Sequence, residues 1–343
     1  MNRYGVRKLL QFVAKRALFS VAVLFGVIVI TFVISRVIVP DPARAWAGSR
    51  ATKSTVEALT TEFHLNDPIY VQFFYYLNDL LHGNWGISPT SGQPVLGSIL
   101  TYLPATVELT ASALLIIVFL GIPLGVVSAT HRNKAADHAA RLMALSGFAS
   151  PPFLVALILQ LIFVYFLKLL PSGGRISVFV QPPTTVTGLL TVDSLLAGNL
   201  PAFVSAVQHL ILPAFSLAFL TLGLMSRLVR TSMLESLSSD YVRTAKSKGL
   251  KGRTVTYKHA LRNALIQPIT ALSVYVAWLL GGSIVIELIF SWPGIGRYSA
   301  TAALNFDIPA IMGTTIVFAI GVILANFVAD VCYAVLDPRV KLQ

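Results

Sequence analysis

The sequence predicts an all-α, polytopic membrane protein with six spanning helices, and three observations predict it. Of the 343 residues 55% are hydrophobic and only 12% charged, where a soluble domain carries about a quarter charged; mean hydropathy is +0.76. Six apolar runs are long enough, or nearly so, to cross a hydrocarbon core of about 30 Å at 1.5 Å per residue. Finally, the arginines and lysines collect in alternate segments between those runs. The net charge of +12 and the pI near 10 therefore report topology, and a nucleic-acid-binding role is excluded by where the charge lies. The single cysteine, Cys332, excludes an internal disulfide.

Taken in order, residues 1–36 hold a basic leader (Arg3, Arg7, Lys8, Lys15, Arg16) and a first span over Ala17–Ser35. A cleaved signal peptide is the rival for this region, with Ala45-Trp46-Ala47 as a cleavage-like site. Its apolar core should be about 7–15 residues, shorter than the 19 seen, and five more spans follow. Residues 37–105 turn polar and form an external segment with one or two helices. Residues 106–343 are the core. Span 2 covers about Thr106 to Ala129 with a kink at Pro123, and span 3 covers Leu142 to Leu167 with Pro151-Pro152 breaking it near its start. Residues 168–208 are polar and rich in Pro, Gly and Thr. Span 4 runs from Leu210 to Met225, a basic loop occupies 226–268, span 5 runs from Ile269 to Phe290, and span 6 from Ala310 to Ala334. The N-terminus, the 129–141 loop, the 226–268 loop and the tail carry nineteen arginines and lysines; the three opposite segments carry six. The positive-inside rule then places both termini in the cytoplasm and the chain in the cell membrane.

Within the basic loop, Ser239 and Asp240 are good N-caps, Tyr241 to Lys248 contains no helix breaker, and Gly249 supplies a left-handed stop. A second helix runs from about Arg253 until Pro268. On the first helix Val242, Ala245 and Gly249 share a small, smooth face flanked by Arg243, Lys246 and Lys248. Such a face suits a groove on another protein; a solvated loop whose charge only fixes topology fits the composition equally.

The order of residues here resembles the EAA loop of ABC importer permeases: Glu-Ala-Ala, three residues, Gly, nine residues, Ile, one residue, Leu-Pro. Arg243-Thr244-Ala245 falls on Glu-Ala-Ala, Gly249 on the Gly and Leu261 on the Leu, while His259 and Arg262 replace the Ile and the Pro. That form is similar to the dipeptide and oligopeptide permeases. Four further stretches carry the same resemblance: Phe63-His64-Leu65-Asn66-Asp67-Pro68 with Gly83-Asn84-Trp85-Gly86, Leu170-Pro171-Ser172-Gly173-Gly174, Ser291-Trp292-Pro293-Gly294-Ile295-Gly296, and the Asp337-Pro338-Arg339 tail. The resemblance implies a type I ABC importer permease that pairs with a second homologous permease, two cytoplasmic ATPase subunits and an external substrate-binding protein. It further implies that Tyr241, Val242, Arg243, Thr244, Ala245, Lys246, Gly249, Leu250, His259, Leu261 and Arg262 couple this chain to the ATPases, which would bind the ATP and magnesium. The cargo implied is di- or oligopeptides, with oligosaccharides or nickel as alternatives on the same architecture.

No phosphate-binding Gly-x-x-x-x-Gly-Lys-Ser/Thr, His-Glu-x-x-His pair, cysteine cluster or nucleophile elbow occurs, so neither catalysis, a cofactor nor a metal site is expected in this chain. Three acids lie in or beside spans: Glu108, Glu287 and Asp330. An interfacial or partner-paired acid is the simpler reading of each, because the cost of a charge falls towards the interfaces. Glu287 is the most pathway-like, since span 5 also carries Trp278, Ser283 and the small pair Gly281-Gly282. A secondary transporter driven by ion gradients would show inverted repeats with paired broken helices or a buried carboxylate chain. A membrane-anchored scaffold would not need glycine and proline inside so many spans.

Overall fold

A computed structural model describes residues 3–48 and 51–336. Helix α1 (Arg3–Val33) widens into a π turn at Ile34–Ile38. The following segment makes three short helices: α2 (Pro42–Ala47), α3 (Lys53–Glu62) and α4 (Ile69–Leu81). Asp41 and Thr52 cap the first two by accepting the Arg44 and Thr55 amides, each satisfying one donor that a helix start leaves free. Helix α4 folds back on the end of α1, with Phe73 and Tyr76 packed against Phe32 at ring distances of 5.1 and 5.5 Å.

Span 2 starts earlier than the sequence predicts. Helix α5 (Val95–Ile116), a π turn at Ile117–Gly121 and α6 (Ile122–Thr130) form one rod of 36 residues. Pro104 lies within it, and Pro123 follows the π turn. The widened ladder absorbs the hydrogen bond that Pro123 cannot donate.

Span 3 is not a straight helix over Leu142–Leu167. Helix α7 (Ala135–Ala149) and α8 (Pro152–Leu159, extended as a π helix to Phe166) meet at 111°. Pro151-Pro152 cannot donate, and each proline pushes the residue before it out of the helical region. Five helices among the described residues are long and apolar enough to cross a membrane, and the bent pair is a sixth if it spans as one.

After α9 (Leu190–Leu196) comes α10 (Leu200–Ser238), the column of the fold. Its 39 residues give a length of about 58 Å, nearly twice a hydrocarbon core. Span 4 therefore runs well beyond Leu210–Met225, and the basic segment begins as a continuation of this helix. Helices α5 to α8 pack around it. Close approach to α7 depends on two glycines: a Cβ on Gly147 would lie 2.9 Å from the Phe219 carbonyl, and one on Gly223 would lie 2.9 Å from the Ala144 carbonyl, a small-residue contact typical of membrane bundles.

The chain then turns through α11 (Asp240–Ser247), α12 (Gly252–Thr254), a π turn at Val255–Ala260 and α13 (Leu261–Ala264). Span 5 is α14 (Ile266–Ile289), a short α15 (Ile295–Leu304) follows, and α16 (Ile308–Leu336) lies against α1 and α14. The Asp337-Pro338-Arg339 tail lies outside the described residues.

Candidate coupling site

The hairpin α11–α13 closes much as its residues dictate. Ser239 occupies the N-cap, but its hydroxyl donates back to the Ser236 carbonyl (2.5 Å) and caps nothing. Gly249 ends α11 at φ +73°, a conformation glycine adopts without a Cβ clash. The second helix stops at Ala264. Pro268 falls in the first turn of α14, where its missing N–H costs no bond.

One expectation is reversed. Val242 is 0% and Ala245 7% exposed, because this face packs into the chain's own core with Met233, Val255, Ala260 and Ala264. The small residues let α11 lie against the end of α10 and the second helix of its own hairpin, so Val242 and Ala245 are not left open to a partner. What faces away is Arg243, Thr244, Lys246, Ser247, Lys248, Gly249 and Leu250. In the second helix Arg253, Tyr257, Lys258 and Arg262 are exposed, while His259 and Leu261 are half-buried. Tyr241 shares a 2.5 Å hydrogen bond with the Ser236 hydroxyl, and that hydroxyl also donates to the Ala260 carbonyl (2.8 Å). A serine at the end of α10 thus ties both helices of the hairpin down.

A buried carboxylate fixes the same end. Asp137, in the first turn of α7, has no exposure. Arg230 of α10 grips it twice, Nε to Oδ1 at 2.7 Å and Nη2 to Oδ2 at 3.0 Å. The Ser128 hydroxyl (2.6 Å) and the Asn133 amide (2.9 Å) also bond it, and the exposed Arg141 lies 3.6 Å from Oδ1. Bidentate arginine is the strong form of this pair. On the sequence Arg230 is one of the cations that set topology and Asp137 lies in a short charged loop, and a 93-residue separation hides the pair from any local pattern.

At the opposite end two more acids, Glu108 and Glu287, are buried. Glu108 of α5 accepts Arg175 Nη2 at 2.5 Å, and both the amide and the hydroxyl of Thr191 at 2.7 Å. Asp330, partly exposed towards the C-terminal end of α16, pairs with Arg16 at 3.1 Å. Glu108 and Asp330 are thus partnered, as the simpler reading holds. Glu287 pairs with no cation among the described residues. It accepts the Thr106 hydroxyl (2.8 Å) and the Arg297 amide (2.9 Å) at the start of α15, a favourable place for an anion. The turn Ser291–Gly296 closes over it: the Trp292 indole donates to the Ala105 carbonyl (2.9 Å) and the Ile295 amide to Thr106 Oγ1 (2.8 Å). Glycine is needed at 296, where a Cβ would lie 2.7 Å from the Ile284 Cα.

Of the three pathway candidates Glu287 and Ser283 meet, while Trp278 does not share their burial. Glu287 and Ser283 are fully buried, Ser283 donating to the Leu280 carbonyl, whereas Trp278 is 69% exposed. Burial of Glu287 with both oxygens occupied makes it a packing anchor in this conformation, not a lining group.

Nearby, Asp193 at α9 accepts the Thr187 and Gly188 amides (2.8 and 2.9 Å). Burial pushes its carboxyl up, but these donors outweigh that and hold it below the usual aspartate range.

A bundle of membrane-crossing helices around one long column, closed by internal hydrogen bonding at one end and presenting a cationic hairpin at the other, defines a multi-pass membrane permease. The chain matches the family described as binding-protein-dependent transport system inner membrane component over residues 121–342, and that family's N-terminal region over residues 9–110. It belongs to that family and is a transport subunit of the cytoplasmic membrane, not an enzyme. It is 45% identical to the probable D,D-dipeptide transport system permease protein DdpB of Escherichia coli K12, over 93% of this chain and 94% of that one. It is 38% identical to the dipeptide transport system permease protein DppB of Alkalihalophilus pseudofirmus (97% and 100%). Against the oligopeptide transport system permease protein AppB of Bacillus subtilis identity is 33% (96% and 99%).

Proposed function

We propose that this chain forms half of the membrane pathway of an ATP-driven importer for dipeptides or short oligopeptides. A second homologous permease, two ATPases and an external binding protein complete the machine. Both termini and the hairpin lie in the cytoplasm, in line with the arginine and lysine asymmetry. The observation that carries the coupling role is the hairpin's division into two faces. Its apolar face is consumed internally, while Tyr257 and Leu250 remain 54% and 40% exposed among Arg243, Lys246, Lys248, Arg253 and Lys258. Exposed anchors ringed by charge are the composition of a protein-binding patch.

In this reading, ATP-driven closure of the ATPases displaces the hairpin. Ser236 and the Asp137–Arg230 pair pass that movement to α10 and α7, and the spans exchange outward for inward openings. The peptide names of the relatives favour peptides over oligosaccharides or nickel as cargo.

The test is uptake by proteoliposomes holding both permeases, the ATPases and the binding protein. Labelled dipeptide should accumulate only with ATP, and neither nickel nor oligosaccharide should compete. Uptake driven by an ion gradient without ATPases would overturn the assignment.

A further inference from the structure

The segment that folds back on α1 builds a buried site far from the hairpin and from Glu287. Arg36, in the π turn that ends α1, is 9% exposed, and its Nε and Nη1 are buried with no hydrogen-bond partner. Its guanidinium carbon lies 4.0 Å above the Trp46 ring and 5.7 Å from that of Phe63. Trp46 is 8% exposed, and its indole N–H is likewise buried without a partner. Arg36 enters none of the ion pairs among the described residues. Both side chains line one cavity of about 30 Å³, along with Tyr76, Asp79, Trp85 and Met312.

This cluster holds donors in excess. A guanidinium has five N–H donors and no acceptor, and an indole has one donor. Asp79 acts on this cation only through space and forms no ion pair with it, and a buried cation so weakly compensated is costly, so the group that completes the site is an acceptor and negative. The space admits roughly two water-sized atoms. That matches the paired oxygens of a phosphate or carboxylate, which the planar guanidinium fork fits. Depth selects the source: Arg36 is the penultimate residue of the apolar span Val13–Val37, which places it at the level of the lipid headgroups.

We propose that the Arg36–Trp46 cavity binds the phosphate of one membrane phospholipid headgroup. The bound headgroup joins the end of α1 to α4 and to the start of α16, which supplies Met312. This site is independent of the cargo and of the ATPase contact. The rival partner is Asp79, which also lines the cavity and could turn to pair with Arg36. The two alternatives respond oppositely to Asp79→Asn. At a headgroup site the substitution removes a like charge and tightens binding. At an Arg36–Asp79 pair it leaves the guanidinium alone and acts like Arg36→Gln.

The test uses the full chain, purified with the subunits that accompany it, and native mass spectrometry during titration with phosphatidylglycerol, diacylglycerol of the same chains, or inorganic phosphate. Wild type should hold one phosphatidylglycerol that diacylglycerol does not replace. Arg36→Gln should weaken it tenfold or more, with partial rescue by Arg36→Lys, and Asp79→Asn should tighten it two- to threefold. If Arg36→Gln does not fold, Trp46→Phe removes one donor only and should weaken the lipid about threefold. Wild-type retention by Arg36→Gln or Trp46→Phe, loss in Asp79→Asn, or equal binding of diacylglycerol would overturn the proposal. Occupation by inorganic phosphate in place of lipid would overturn the headgroup assignment.

Discussion

The two ends of this permease each carry a stretch recognisable in the sequence, and they are built on opposite plans. At the Ser291–Gly296 turn the polar groups close inward: Glu287 takes Thr106 and the α15 amide, and the Trp292 indole takes a carbonyl of α5. At the hairpin only one face closes inward, and the other leaves cations, a tyrosine and a leucine in the open. Small residues play a related part at both ends: Gly296 lets backbone approach backbone, and Ala245 packs into the core. The lesson is that a small-residue face shows where the chain packs on itself. The surface left for a partner is the one that the chain does not use.

The largest expected effect comes from the device that holds the hairpin end. Arg230→Ala leaves Asp137 charged and buried, a loss of about 3–5 kcal/mol. It should appear as a large fall in the thermal stability of the purified chain, partly recovered in the double variant Arg230→Ala/Asp137→Ala. Equal stability of the single variant and wild type would show that the pair ties nothing.

Ala245→Asp comes next. On the structure it buries a carboxylate in the chain's own core, also a matter of several kcal/mol. It should make the hairpin sensitive to trypsin even in the absence of ATPases. If Ala245 faced the ATPase instead, the isolated variant would resist trypsin like wild type and fail only on assembly.

At the closed end, Glu287→Gln keeps the shape but turns an amide donor towards donors. A cost of about 1–3 kcal/mol is expected, with ATPase association unchanged. A loss of association without a loss of stability would contradict the packing role of Glu287. The smallest effect belongs to Lys248→Ala at the rim of the open face: less than about 1 kcal/mol, read as a change of a few-fold at most in association with the ATPases, weaker still at high salt.

The sequence carried much of this. Gly249 was legible because a left-handed stop has few residues that fit it, and the apolar runs were legible because a bilayer demands them. Helix lengths were underread at two places. Residues 95–105 hold Thr, Ser and Pro, and 226–238 hold arginines. Both look like loop chemistry, yet α5 and α10 simply continue beyond the bilayer. The hairpin's face was found by its period, but a period says nothing of what covers the face. Asp137–Arg230, Glu108–Arg175 and Arg36–Trp46 could not be read at all, since each depends on how the chain folds back on itself.

Cysteine protection at the hairpin separates its buried face from its open one. In a Cys332→Ala background, Lys246→Cys and Ala245→Cys would be probed with a water-soluble maleimide, in the isolated chain and in the assembled transporter. Lys246→Cys should react freely alone and at least tenfold more slowly once the ATPases are bound, while Ala245→Cys should be unreactive in both states. Free reaction of Ala245→Cys in the isolated chain, followed by protection on assembly, would contradict that division of the faces.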